Sequence, residues 1–252
     1  MSVLNPTWDE FAWAVFYYGV ISRDITGQSD YLELTRQTQF LQDLRTNPNR
    51  LRDDDIQQCV IGGFLNRWRC RVENSSVAAD SIQRTLQSLV PYLSALNNLS
   101  IQSIQFNNPV IVDNNNMTIS QVIEYCYTQV RNIGYNFGPT ATSKLLHILQ
   151  PDLFVMWDDA ILKRYKNING QISDSGRGYL TYLKMMKRLA NHIHTVFQNA
   201  VLTPPAHADQ DPASYLNAQM GYNPPKTMAK YLDEYNWIKI TYGVQAPPAW
   251  HP

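Results

Sequence analysis

Apolar residues recur at helical spacing in almost every segment long enough to judge. From Trp8 to Ile21 they occupy nearly all sides, which predicts a helix buried on most of its faces. Ile56, Val60, Ile61, Phe64, Leu65 and Trp68 mark one face of a second helix over 56–68. Gly62-Gly63 sits inside it and lowers helix propensity, so a close packing contact is expected there. Val77–Val90 repeats the pattern, and Pro91 is expected to kink or end that helix. Residues 97–117 are Asn-rich and irregular, with a short extended piece at Val110-Ile111-Val112.

Thr118 and Gln121 have the spacing of a capping box, and Ile119, Val122, Ile123, Cys126 and Val130 form the inner face of the helix they open. Further on come a Gly/Asn/Ser loop at 167–176, a long helix over 177–198, and a loop over 199–225. That loop holds Pro204, Pro205, Pro212, Pro224 and Pro225, and its length points to a functional or mobile segment. A last helix is expected over 226–240. Strands and helices do not alternate, so the predicted class is all-α.

The densest local signal lies at 134–166. Gly134 suits a left-handed helix cap, and Gly138-Pro139 suits a helix start a few residues later. In the helix that follows, Ala141, Leu145, Leu146, Ile148 and Leu149 are expected to face inward, with Thr140, Lys144 and His147 on the opposite side. Free N–H groups at Gly138, Thr140 and Ala141 would make its start a phosphate site, with Lys144 adding charge one turn on. The apolar run Leu153–Trp157 then stops at Asp158-Asp159. Asp158 reads either as the N-cap of the next helix, with Asp159 complementing its dipole, or as a carboxylate held at the mouth of a site. The two are compatible, because one oxygen can cap while the other faces a ligand.

Composition sharpens this in three places. Net charge is zero, yet residues 131–188 hold nine Lys/Arg against four acids, so the middle of the chain is basic and the rest acidic. A localised patch of that sign fits a polyanion. Cys59, Cys70 and Cys126 are too scattered for a disulfide framework or a zinc site and read as small buried thiols in a reducing compartment. The apolar stretch Phe11–Ile21 follows Asp9 and Glu10 rather than basic residues, so it reads as a buried helix, and no run is long enough to span a membrane. No metal-binding histidine pair, serine-nucleophile elbow or phosphate loop occurs.

The stretch Gly134-Tyr135-Asn136-Phe137-Gly138-Pro139-Thr140, followed by Asp158 twenty positions after Gly138 and by Ile161 three further on, resembles the helix-hairpin-helix DNA glycosylase superfamily. Its phrase from Thr140 to Phe154 is most similar to the 8-oxoguanine branch, and the close match covers about 35 residues. The resemblance implies a two-lobed helical fold, with 1–55 plus 177–252 as one lobe, 56–176 as the other, and the site between them. It implies Asp158 as the catalytic carboxylate, and Gly134, Asn136, Gly138, Thr140 and Lys144 as the hairpin that grips the DNA backbone. It implies no cofactor beyond a monovalent cation held by hairpin carbonyls, and no metal site. Asn136 stands where the family has its central glycine; Asn tolerates the left-handed conformation better than most residues. Thr140 stands where bifunctional members carry a lysine, which implies a monofunctional enzyme.

An enzyme that flips a base must also fill the hole in the duplex. Phe64–Arg71 combines Asn, Trp and three arginines at a helix end, so Asn66 or Arg67 is the candidate wedge, with Arg69 beside it. Trp157, Trp13, Tyr165 and Trp237 are candidates for stacking on the base, each with core packing as the alternative. The resemblance extends to glycosylases that act in phage defence on glucosylated hydroxymethylcytosine, and that hypermodified base is the expected substrate, since abundant Asn and Gln and the 15 tyrosines suit sugar hydroxyls. The alternatives are an oxidised base under repair and a non-catalytic DNA-binding protein. The expected partner is double-stranded DNA bearing a modified base, and the protein is expected to be a cytoplasmic monomer away from membranes.

Overall fold

The computed structural model describes residues 3–25, 28–202 and 210–247. They form helices α1 (Trp8–Ile25), α2 (Gln28–Arg36), α3 (Thr38–Thr46) and a single turn α4 (Asp53–Asp55) that runs into a π-helix, Ile56–Asn66. Next come α5 (Ser76–Ala95), a hairpin of β1 (Pro109–Val112) and β2 (Asn115–Thr118), α6 (Ile119–Arg131), α7 (Pro139–Leu149) and α8 (Asp159–Ile168). The chain continues through α9 (Gly176–Gln198), α10 (Pro212–Met220) and α11 (Met228–Asn236) into a second π-helix, Trp237–Tyr242. The class is mostly helical, as the periodicity predicts. No helix among the described residues is long and apolar enough to cross a membrane.

α6 packs against α5, α7 and α9. Its capping box forms as predicted, with Thr118 Oγ1 accepting from the Gln121 N–H at 3.3 Å and Gln121 Oε1 accepting from the Thr118 N–H at 2.7 Å. Ile119, Val122, Ile123, Cys126, Tyr127 and Val130 are all buried, at about 1.5–3 kcal/mol each for the large apolar side chains. α9 starts hard against α6, where a Cβ on Gly176 would run into the Glu124 carbonyl and the Thr128 hydroxyl. α1 lies against α11 and the second π-helix, which also contacts α8.

Several expectations change. The second predicted helix is a π-helix: a Cβ on Gly63 would sit 2.6 Å from the Gln58 carbonyl oxygen, five residues back in the same helix. The glycine pair therefore relieves crowding within the helix rather than against a neighbour. α5 continues past Pro91 to Ala95, because Leu89 and Leu93 on either side are held in the core. Residues 109–118 form a two-residue hairpin through Asp113 (φ 47°) and Asn114 (φ 64°), residue types that accept the left-handed conformation such turns need. The Pro-rich segment contains α10, which starts at Pro212 and is capped by Asp211; Pro204 and Pro205 lie outside the described residues. Only Cys126 is a fully buried thiol, with Cys59 and Cys70 half-buried.

Candidate functional site

The run from Phe154 to Trp157 belongs to no helix, and no strand among the described residues pairs with it. Its buried carbonyls are satisfied one by one by side chains. Phe154 O accepts from His147 Nδ1 (2.7 Å), Val155 O from Tyr179 OH (2.9 Å), Met156 O from Tyr182 OH (3.0 Å) and Trp157 O from Ser143 Oγ (3.2 Å). Ser143 Oγ also accepts the Trp157 N–H at 3.2 Å, and Trp157 Nε1 donates to Pro139 O at 3.1 Å. The segment is thereby bolted to α7 and α9, and it delivers Asp158 to the start of α8. There Oδ1 accepts from the Ile161 N–H at 2.8 Å, making Asp158 the N-cap, and Oδ2 accepts from Thr241 Oγ1 at 2.7 Å.

This bolting corrects the predicted face of α7. Lys144 and His147 are buried, not outward: His147 is needed to satisfy Phe154 O and Tyr31 OH, and Lys144 donates to Trp68 O at 3.2 Å. His147 donates from Nδ1 to a carbonyl and accepts from the Tyr31 hydroxyl at Nε2 (3.0 Å), so it is neutral; burial pushes its pKa down from 6.5 to about 3. Its folded value lies below the unfolded one, so the stability it confers is present above pH 6.5 and drains away as pH falls towards 3. Denaturant titrations are expected to show a loss of about 2–3 kcal/mol between about pH 7 and about pH 4.5 that is absent in His147→Gln.

The 134–138 turn has three successive left-handed residues, Gly134 (φ 88°), Tyr135 (φ 51°) and Asn136 (φ 63°). Asn136 thus takes the conformation that its residue type tolerates. Gly134→Ala meets no atom within 4 Å, so its expected cost, about 1–2 kcal/mol by thermal melting, is purely that of the dihedral. The turn is pinned from outside. Ile133 O accepts from Ser81 Oγ, Tyr135 O from the Glu73 N–H, Gly134 O from the Phe137 N–H, and Phe137 O from Arg131 Nη1 at 2.8 Å. Arg131 is itself paired with Asp174 at 2.9 Å. Four hairpin carbonyls thus already hold protein donors, one of them a guanidinium. No cluster of three or more metal-ligating side chains occurs among the described residues.

Beyond the turn, Gly138 caps α7 with extended backbone, and the N–H groups of Thr140 and Ala141 have no carbonyl partner among the described residues. They border a cavity of about 630 Å³. One wall is the start of α7 with Lys144; another is Trp157, Asp158 and the first turn of α8. Arg67, Arg69 and Arg71, all exposed, stand at its rim, and Tyr18, Trp68, Asp233, Trp237 and Thr241 complete it. Arg69 (φ 60°) and Arg71 (φ 57°) are held left-handed, a backbone strain that collects at functional sites.

Of the predicted residues, Asp158, Gly138, Thr140, Lys144, Arg67, Arg69, Trp157 and Trp237 come together here. Four predicted residues do not fit their roles. The Asn66 amide donates to Val72 O (2.9 Å) and accepts the Val72 N–H (2.8 Å), so it locks the chain after the π-helix and is not a wedge. Trp13 is stacked on Tyr17 with ring centroids 4.9 Å apart, outside the cavity. Tyr165 is fully buried with its hydroxyl on Asn236 Oδ1 at 2.8 Å, also outside. Trp157 is 1% exposed and forms wall rather than an open stacking face. Of the basic stretch, Lys184, Lys187 and Arg131 meet Phe106, Ile104 O and Asp174, and Lys163, Arg164, Lys166, Arg177 and Arg188 are exposed but do not line the cavity, whose rim arginines come from 67–71.

Sequence reasoning missed a buried charged network. Every residue of α11 is buried, including Lys230, Asp233 and Glu234. Lys226 pairs with Glu234 at 2.7 Å and Lys230 with Asp233 at 2.7 Å, with Glu234 a further 3.5 Å from Lys230. The Lys230 ammonium also lies 5.0, 5.2 and 4.8 Å from the ring centroids of Tyr18, Tyr31 and Trp68. Burial disfavours its charge, but Asp233, Tyr18 and Glu234 more than offset that and hold its pKa above the ordinary lysine value. The i, i+3 and i+4 spacing of 230, 233 and 234 was the available signal; it normally marks a solvated face. Comparison with known protein families, curated proteins and solved structures found no match.

Chemically, the arrangement offers a fixed carboxylate, an anion-binding helix start, a rim of three arginines and an aromatic, partly charged interior. That is a set of groups for holding a polyanion outside and a planar, polar ring inside.

Proposed function

We propose that the chain is an enzyme acting on a polyanionic, base-bearing substrate: a DNA glycosylase of the helix-hairpin-helix kind, with a two-lobed fold. More particularly, we propose a monofunctional glycosylase that excises a bulky modified base, favouring glucosylated hydroxymethylcytosine of phage DNA over an oxidised purine, without a resident cofactor. The observation that carries this reading is Asp158, fixed on both oxygens at the wall of a 630 Å³ cavity between the anion-binding start of α7 and the three arginines.

In this reading the backbone of the duplex lies across the Thr140 and Ala141 N–H groups and the arginine rim, and the target nucleotide turns into the cavity. Arg67, exposed at the rim, fills the gap left in the stack. The bond between C1′ and the base nitrogen breaks with its electron pair leaving on the base, and positive charge develops on the sugar ring. The Asp158 carboxylate stabilises that charge, and water adds its hydroxide to C1′ while its proton ends on the departing base. Thr241 and the Ile161 N–H fix the carboxylate so that it need not reorganise.

The test is a panel of duplexes bearing glucosylated hydroxymethylcytosine, oxidised guanine or alkylated bases, scored for strand breaks after alkali. Cleavage of at least one is expected, and cleavage of none would sink the enzyme. Borohydride is expected to trap no covalent complex with the abasic product. A trapped complex that disappears in Lys144→Met would overturn the monofunctional part. Replacing Arg67, Arg69 and Arg71 by Ala is expected to flatten the salt dependence of duplex binding, by about 0.9 in log–log slope for each phosphate the arginines neutralise.

One observation favours a second reading, a non-catalytic DNA-binding protein. Both Asp158 oxygens already hold protein donors, which a helix cap alone would explain.

A further inference from the structure

Two acids reach the cavity from inside the fold, and only one of them caps a helix. Asp233 is 5% exposed, lines the cavity, and belongs to a helix with no exposed face. Its Oδ2 accepts from Lys230 at 2.7 Å, whereas its Oδ1 has no protein donor among the described residues. Beside it Lys144, 6% exposed, lines the same cavity and is close enough for the two charges to interact. The Lys144 ammonium gives one hydrogen to Trp68 O at 3.2 Å and another engages the Cys70 sulfur, which leaves it one more donor.

Burying such charges is costly, and well-packed apolar residues would hold α11 in place at least as well. Their position therefore calls for a ligand. Lys226, Lys230, Asp233 and Glu234 pair among themselves, and Lys144 faces Cys70, Asp233 and Asp158, with burial working against its charge.

Resting on the glycosylase reading, we propose that Asp233 and Lys144 read the Watson–Crick edge of the flipped base, Asp233 Oδ1 accepting an N–H from an exocyclic amine and Lys144 donating to the ring nitrogen beside it. One free acceptor next to one donor suits an amino-bearing base of the cytosine type. An oxidised guanine presents two adjacent N–H groups, and with Oδ2 taken by Lys230 one of them would go without a full partner. Trp68 and Tyr18 also line this end of the cavity, where their rings pack against the Lys144 and Lys230 ammoniums.

The experiment uses Asp158→Asn protein, which holds the duplex without releasing the base. The probes are a duplex with glucosylated hydroxymethylcytosine, the same duplex with the exocyclic amine dimethylated, and an unmodified duplex. Binding of the first is expected to be at least about tenfold tighter than of the second, the worth of one good base contact. Adding Asp233→Asn or Lys144→Met is expected to reduce that ratio to below about threefold. Should one variant fail to fold, the other carries the test. No discrimination in the parent protein, or a ratio that survives in a folded variant, overturns the base-reading role alone if wild type still releases the base. If wild type releases nothing from any duplex, the glycosylase reading falls and this one with it.

Discussion

Asp158→Asn is expected to abolish base release while leaving both the fold and duplex affinity in place. Asparagine caps a helix about as well as aspartate, and its amide oxygen can still accept from the Ile161 N–H or from Thr241. Stability should therefore change by less than about 1 kcal/mol. What disappears is the negative charge facing the sugar. In a site walled by buried Trp157, losing a fixed electrostatic partner of the transition state costs on the order of a hundredfold to a thousandfold in rate, about 3–4 kcal/mol. Asp158→Ala should lose the same rate and about 1 kcal/mol of stability besides, because the cap goes too. The pair of variants separates the two roles of this residue. A cap with no chemistry predicts that Asn keeps full alkali-revealed cleavage and only Ala is impaired. Catalysis predicts that both are dead and only Ala is less stable.

The features legible in the sequence were those whose cause is local. Thr118 and Gln121 specify their capping box within four residues, and Gly138-Pro139 starts α7 by its own dihedral preferences. Asp158 announces the start of α8, and the left-handed conformations of Gly134 and Asn136 follow from residue type, whereas that of Tyr135 between them does not. The Asp113-Asn114 hairpin was not read from the sequence, although its cause is equally local: both residue types accept the positive φ angles that join β1 to β2.

The misreadings came from treating polar as outward. Lys144 and His147, both read as outward, are polar because the Trp68 and Phe154 carbonyls need donors inside the fold. Which backbone groups would be left unpaired is a property of the tertiary arrangement, invisible to a period count. Asn66 fails as a wedge for the same reason: its partner Val72 is in reach only because the chain turns back after the π-helix. The approach of Asp233 to Lys144, from helices far apart in the chain, had no local signature at all.

Lys230→Met is expected to be the most damaging single change away from Asp158. Its ammonium sits 2.7 Å from Asp233 and 3.5 Å from Glu234 with no exposure of its own. Removing one partner of a buried pair strands the other, which costs about 3–5 kcal/mol, a large part of the total stability of an ordinary domain. Methionine keeps most of the volume and the packing against Tyr18, Tyr31 and Trp68, so the loss measured by denaturant would be electrostatic rather than a cavity. The neighbouring pair gives the control. Lys226 and Glu234 are 1% and 0% exposed, Glu234 Oε2 has no hydrogen-bond partner among the described residues, and burial pulls the Lys226 ammonium down to about 8 even against Glu234. Replacing both together, as Lys226→Met with Glu234→Leu, removes two desolvation costs at once and is expected to lose far less than the sum of the single changes. Additive losses across that cycle would mean that the charges are not stabilising one another, and the case for Asp233 as a group held in place by Lys230 would lose its physical basis.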